Sequence, residues 1–279
     1  MAIFNGTLLA DTLVGTPLSD IITGYADKDL IRAAGGDDFV YGDNASIFEA
    51  DESATDGNDT IFAGTGNDLI AGGGGRDTIY GDTEDDTIYG GSGNDQLGGG
   101  SGNDLIYGGT GNDSVVGNSG QDLLYGGAGQ DILTGDSGND WLTGGAGRDI
   151  LNGGSGNDTY YFANGDGIDR VAETLGNNDT AIFTATSLND VALFQQGTNL
   201  IVGYANDSFA RVVNFFASDS LESLQLDVGG TIYTMDYATV VNVSNNIGTL
   251  AAADGVALNS LSTVFSDVDY LSEVSTAWV

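Results

Sequence analysis

A nine-residue period runs without a gap through the middle of this 279-residue chain, and it constrains the fold more than any other feature. From Ala54 to Tyr161 the sequence divides into twelve consecutive units, such as Gly99-Gly100-Ser101-Gly102-Asn103-Asp104-Leu105-Ile106-Tyr107. The sixth position is Asp in every unit: Asp59, Asp68, Asp77, Asp86, Asp95, Asp104, Asp113, Asp122, Asp131, Asp140, Asp149 and Asp158. The eighth is apolar in every unit, from Ile61 and Ile70 to Leu151 and Tyr160. A unit this short has one inward side chain and cannot bury a core alone, so it must stack on its neighbours. Positions one to six read as a turn, with glycines supplying positive φ. Positions seven to nine read as a short strand whose middle residue faces inward. Two units then make one 18-residue coil with a strand on each side, and coils stack through parallel strand hydrogen bonds about 4.8 Å apart. The expected fold is all-β, a parallel β-roll of the solenoid type, with a β-rich C-terminal cap.

Stacking creates an electrostatic problem. Residues 18 apart line up, so Asp59, Asp77, Asp95, Asp113, Asp131 and Asp149 form one column, and Asp68, Asp86, Asp104, Asp122, Asp140 and Asp158 the other. Two bare carboxylates at the coil spacing repel by about 3 kcal/mol at an effective dielectric constant near 20. A cation between successive turns removes that repulsion. The chain has no Cys and no His, so only hard oxygen ligands remain. Carboxylate and carbonyl oxygens suit Ca²⁺. Residues 54–161 hold 17 acidic and 2 basic side chains. On the order of ten inter-turn ions would bring the array near neutrality. Folding and metal binding are therefore expected to be one event.

The unit matches GGxGxDxUx, and over these 108 residues the chain resembles the RTX (repeats-in-toxin) haemolysin-type calcium-binding repeat family. The resemblance implies a calcium-stabilised β-roll, export by the type I secretion machinery and a secreted, extracellular location, including association with a cell surface.

The flanks extend the pattern. Asp11, Asp20, Asp29 and Asp38 keep the nine-residue spacing, but Leu9 and Leu18 replace the glycine of position four. Residues 1–53 are read as degenerate N-terminal repeats and a cap, whose metal sites are weak or absent, ending in an acidic insertion from Gly42 to Ser53. Residues 54–161 are the calcium-binding roll. Residues 162–241 contain alternating stretches, among them Ala181–Thr184, Val191–Phe194 and Leu200–Tyr204, that resemble the β-rich domain following RTX arrays. Residues 242–279 have the general character of a type I export signal. Met1 to Thr7 lack the basic and apolar regions of a Sec signal peptide.

Composition narrows the function. With 41 acidic and 6 basic residues, a formal charge of −35, the chain is no nucleic-acid binder and finds no direct partner in a bare acidic membrane. No apolar run is long enough for a transmembrane segment. Without His or Cys, with Lys28 as the sole lysine, and with repeats beginning at residue 6, the chain is expected not to be an enzyme. The first reading is a structural protein of an extracellular matrix or surface layer that self-assembles with calcium. The alternative is a module that binds extracellular polysaccharide or a cell surface, possibly the non-catalytic part of a larger secreted enzyme. Tyr89, Tyr107 and Tyr125, 18 apart at outward position nine, are expected to stack as a ladder, with Phe62 and Tyr80 on the opposite face. They serve either sheet stability or a sugar-binding surface. The acidic unit around Asp82, Glu84 and Asp85 reads as a degenerate turn in preference to an extra ion site. Gly72 to Gly75 lack the Lys-Ser/Thr of a phosphate loop.

Overall fold

The computed structural model describes residues 1–25, 27–42, 57–172, 179–185, 191–196, 199–204, 208–212, 223–228 and 231–236. The acidic insertion, apart from Gly42, and the C-terminal segment 242–279 lie outside the described residues, as do parts of the stretch 162–241. All described elements are strands, and they form two 12-stranded sheets.

The odd sheet runs Ile3–Asn5 (β1), Ile21–Thr23 (β3), Phe39–Tyr41 (β5), Leu69–Gly74 (β7), Thr87–Ser92 (β9), Leu105–Thr110 (β11), Leu123–Gly129 (β13), Trp141–Gly147 (β15), Thr159–Phe162 (β17), Thr180–Ala185 (β19), Ser223–Val228 (β23) and Thr231–Asp236 (β24). The even sheet runs Thr12–Val14 (β2), Leu30–Gly35 (β4), Thr60–Thr65 (β6), Thr78–Thr83 (β8), Gln96–Ser101 (β10), Ser114–Ser119 (β12), Ile132–Ser137 (β14), Ile150–Ser155 (β16), Ile168–Val171 (β18), Ser208–Val212 (β22), Asn199–Tyr204 (β21) and Val191–Gln196 (β20). From β1 to β19 consecutive strands alternate between sheets, and each strand up to β17 pairs in parallel with the strand two along. This is the parallel β-roll expected from the repeat.

Register follows the 18-residue coil. Leu105, Ile106 and Tyr107 pair with Leu123, Leu124 and Tyr125. Between β4 and β6, Ile31 faces Ile61, a step of 30, so the insertion leaves the stacking phase intact on both sides. Strands β6 to β16 run six or seven residues, longer than the three expected, because positions one to three also pair with the next coil. Gly100 and Ser101, for example, face Asn118 and Ser119. The turn is thereby reduced to positions four to six. Position four favours glycine, as Gly93 shows for two reasons: its φ is +137°, and a Cβ on it would run into the carbonyl of Gly75 in the preceding coil.

The core is a single file of position-eight side chains. Ile61, Ile70, Ile79, Ile88, Leu97, Ile106, Val115, Leu124, Leu133, Leu142, Leu151 and Tyr160 are all buried, and Ile22, Ile31 and Val40 carry the file toward the N-terminus. Phe162 and Phe183 carry it the other way with rings stacked at 4.7 Å. Past β18 and β19 the pairing changes: β22–β21, β21–β20 and β23–β24 are antiparallel.

Candidate functional site

The chemistry of this protein is concentrated along the two edges of the roll, where position six places its aspartates. Each of the twelve array aspartates is buried, with at most 3% of its surface exposed. One carboxylate oxygen has a fixed task. Oδ1 of Asp113 accepts the backbone N–H of Asp95 at 2.8 Å, and Oδ1 of Asp131 accepts that of Asp113 at 2.8 Å. The same bond links the other column, as from Asp104 N–H to Asp122 and from Asp122 N–H to Asp140. Each carboxylate thus locks its coil to the one before it.

The second oxygen has a different environment. Oδ2 of Asp68, Asp86, Asp95, Asp104, Asp113, Asp122, Asp131, Asp140 and Asp149 is buried and accepts no hydrogen bond. It lies over the position-one glycine of its own unit, in the space a side chain would fill. A Cβ on Gly90 would sit 2.7 Å from Oδ2 of Asp95 and 2.5 Å from the carbonyl oxygen of Gly108, one coil on. A Cβ on Gly126 would sit 2.6 Å from Oδ2 of Asp131 and 2.5 Å from the carbonyl of Gly144. A carboxylate oxygen and a carbonyl oxygen therefore converge with no donor between them. Buried acceptors with no donor cost free energy unless a cation is shared among them. The donor set, carboxylate plus carbonyl, fits Ca²⁺. Among the described residues no three acidic side chains cluster at one point, so such a site would be completed by backbone carbonyls.

Electrostatics points the same way. Burial first, then neighbouring carboxylates, push Asp86 up to about 8, Asp95 and Asp140 to about 7, and Asp104 and Asp131 to about 6, against the opposing pull of a backbone N–H on each. Asp149 rises to about 7. A column that resists ionisation at neutral pH is a column short of positive charge.

The four N-terminal units divide into two kinds. Asp29 and Asp38 have the array's arrangement, with buried Oδ2 atoms that accept no hydrogen bond, and burial raises both, Asp38 to about 7. Asp11 and Asp20 do not. Thr16 donates both its N–H, at 2.7 Å, and its hydroxyl, at 2.8 Å, to Oδ2 of Asp20. Thr7 does the same for Asp11, at 2.6 and 2.9 Å. Burial would raise Asp20, but the N–H of Ala2 and the two groups of Thr16 outweigh it and hold the carboxyl below its usual range. Threonine at position two thus supplies from within the unit what the array units lack.

Sequence reasoning missed other participants. Asp169 accepts the N–H of Asp149 at 3.0 Å, and Asp179 accepts that of Asp158 at 2.8 Å, so both columns continue past the array. Their signal was an Asp two residues before an apolar strand residue, Val171 and Ala181, out of the nine-residue phase. Position five forms an outer ladder running in the opposite sense: Asn112 N–H donates to Asn94 at 2.8 Å and Gln130 N–H to Asn112 at 2.7 Å. The acidic unit behaves as an altered turn. Glu84 takes position four with φ +74°, and its carboxylate accepts the N–H of Gly66 at 3.0 Å and the hydroxyl of Thr83. On the odd face Tyr89, Tyr107 and Tyr125 stack at 5.0 and 4.9 Å, and on the even face Phe62 and Tyr80 stack at 5.3 Å with Arg32 over the Phe62 ring.

The family comparison agrees with this geometry. The family model described as the RTX calcium-binding nonapeptide repeat matches residues 5–45, 53–88, 72–106, 98–133, 107–142 and 134–169, together more than half of the chain. A search of curated proteins found no match. Among solved structures the chain is similar to the extracellular lipase LipA from Serratia marcescens, at 18% identity and a TM-score of 0.33. The alignment covers 76% of this chain and 39% of the lipase, so this chain spans about two fifths of that protein.

Proposed function

Because the chain belongs to the RTX calcium-binding nonapeptide repeat family, we propose that it is a secreted, non-catalytic protein that folds on binding Ca²⁺ outside the cell. The observation that carries this reading is the pair of buried columns in which carboxylate and carbonyl oxygens meet without a donor. The ligands are the twelve array aspartates together with glycine carbonyls, and Asp29 and Asp38 join them. Bound calcium supplies positive charge shared between coils. The aspartates hold the coils in register through Oδ1 and present Oδ2 to the ion. Inside the producing cell, where free Ca²⁺ is scarce, the columns repel and the chain stays open for a type I exporter. At extracellular concentrations, about 10⁻⁴–10⁻³ M, it closes. Far-UV circular dichroism at pH 8 tests this. The expected result is a β spectrum in millimolar calcium and a largely unordered one after chelation; a chelated sample with the full β spectrum sinks the reading.

The role outside the cell is structural, through calcium-dependent assembly into a matrix or surface layer. Its support is the N-terminal end of the roll, where β1 and β2 each have one sheet neighbour and Ile3, Leu8, Leu9 and Leu18 are exposed. Size-exclusion chromatography across a calcium titration separates assembly from a persistent monomer. A second reading, a polysaccharide-binding module, is favoured by the exposed Tyr80 on the even face.

A further inference from the structure

The even sheet is not uniform. Strand β10 has glycine at both of its central outward positions, Gly98 and Gly100, while its neighbours carry side chains there: Tyr80 and Asp82 on β8, Val116 and Asn118 on β12. A trough results, floored by the β10 backbone and about 10 Å across from β8 to β12, two strand spacings. Its volume is about 250 Å³ over Gly98, where Gln96 and Ser114 close one end, and about 430 Å³ in the overlapping part that reaches Ser101 and Ser119.

Three features distinguish this trough from a chance gap. First, it interrupts an aromatic stack. Tyr80 rests one face on Phe62, and the position that would stack on its other face is Gly98. Second, the two walls carry polar side chains where the odd sheet of the array has only glycine: Asp82 and Asn118 have φ of +80° and +76°, against Gly73, Gly91, Gly109, Gly127 and Gly145. Asp136 on β14 shares that conformation outside the trough, at φ +73°; what the trough adds is that two such polar side chains face each other across a glycine, Gly100. Third, no hydrogen bond within the protein engages the side chains of Asp82, Gln96 or Asn118 among the described residues.

The chemistry selects the ligand. The β10 backbone is already paired on both sides, so a peptide strand cannot add to it. The formal charge of −35 exceeds what on the order of ten Ca²⁺ ions supply, so the loaded protein still disfavours nucleic acid and acidic glycans. Leu97 at the floor is buried, which leaves Tyr80 and Val116 as the exposed apolar side chains of the trough, too little for a lipid chain. A flat ring with C–H groups on its faces and hydroxyls on its rim meets both the aromatic plane and the amide and carboxylate groups. We propose that the trough binds neutral pyranose rings of a polysaccharide, one ring stacked on Tyr80 with its hydroxyls on Asp82, Gln96 and Asn118. This deepens the second reading above and rests on it.

The test uses the full chain in calcium, with folding checked by circular dichroism. Neutral hexasaccharides of glucose, mannose, galactose and xylose are the probes, read by saturation-transfer NMR and calorimetry. At least one probe is expected to bind. Gly98→Tyr, which continues the aromatic stack into the trough, is expected to weaken binding about tenfold or more. Asn118→Gly, which relieves positive-φ strain, is expected to weaken binding while raising the melting temperature. Tyr107→Ala on the opposite sheet should leave binding unchanged. Folded protein that binds none of the four probes overturns both the trough and the polysaccharide reading. Binding that survives Gly98→Tyr but is lost in Tyr107→Ala overturns the trough alone and moves the sugar to the odd face.

Discussion

Removing calcium and then lowering the pH should refold this protein. The perturbation acts on the carboxylate columns directly. Nine aspartates of the two columns are pushed up to between about 6 and about 9 in the folded roll: Asp38, Asp68, Asp86, Asp95, Asp104, Asp131, Asp140, Asp149 and Asp169, all from a value of 3.8. A rise of three units corresponds to about 4 kcal/mol against the ionised folded state. Water and ions reaching the roll edges reduce this, and we take about 2 kcal/mol per carboxylate. Several such residues together match the whole stability of an ordinary domain, about 5–15 kcal/mol. The folded metal-free roll binds more protons than the unfolded chain between pH 3.8 and the raised values. Its stability is therefore lost as pH rises through that window and regained as pH falls. In calcium-depleted buffer of fixed ionic strength, the β signal in far-UV circular dichroism should be small at pH 8 and grow toward pH 5. Depletion over a chelating resin is preferable, because chelators weaken in acid. Asp86→Asn removes the carboxyl pushed up to about 8. It should raise the pH at which structure first appears. A metal-free chain as unordered at pH 5 as at pH 8 would refute the claim that charge within the columns opposes the fold. So would one fully ordered at pH 8.

Three further outcomes follow from the same geometry. Thr16→Val removes the hydroxyl on Asp20 and should weaken the N-terminal coils by about 1–2 kcal/mol; hydrogen exchange should rise in β1 to β3, with the calcium stoichiometry by calorimetry unchanged. Leu124→Ala opens a gap in a file of fully buried side chains, and should cost about 2–5 kcal/mol, read from the urea midpoint in saturating calcium. Gly93→Ala places a methyl group at φ +137° against the Gly75 carbonyl, and should separate two coils, raising the calcium concentration needed for half folding.

Much of this protein was legible in one dimension. A period of nine with an apolar eighth residue leaves no alternative to stacking, because no unit can hide its own side chain. Asp at the sixth position then had to form columns, and the absence of Cys and His left only oxygen to meet a metal. Periodicity, however, reports what is repeated, and it was silent wherever function depends on a contact between coils. That positions one to three are strand was hidden, because glycine reads as a turn until a neighbouring coil supplies its hydrogen bonds. Asp169 and Asp179 fell out of phase in sequence yet stack in phase in space. Asp20 and Asp95 look alike on paper. Only the folded turn separates them, by putting the Thr16 hydroxyl on one carboxylate and leaving the other facing a carbonyl. The trough at Gly98 is of the same kind, since a missing side chain becomes a cavity only when strands 18 residues away stand on either side of it. Local chemistry set the repeat and its charge; the distances between coils, which set every acceptor's partner, exist only in the stacked roll.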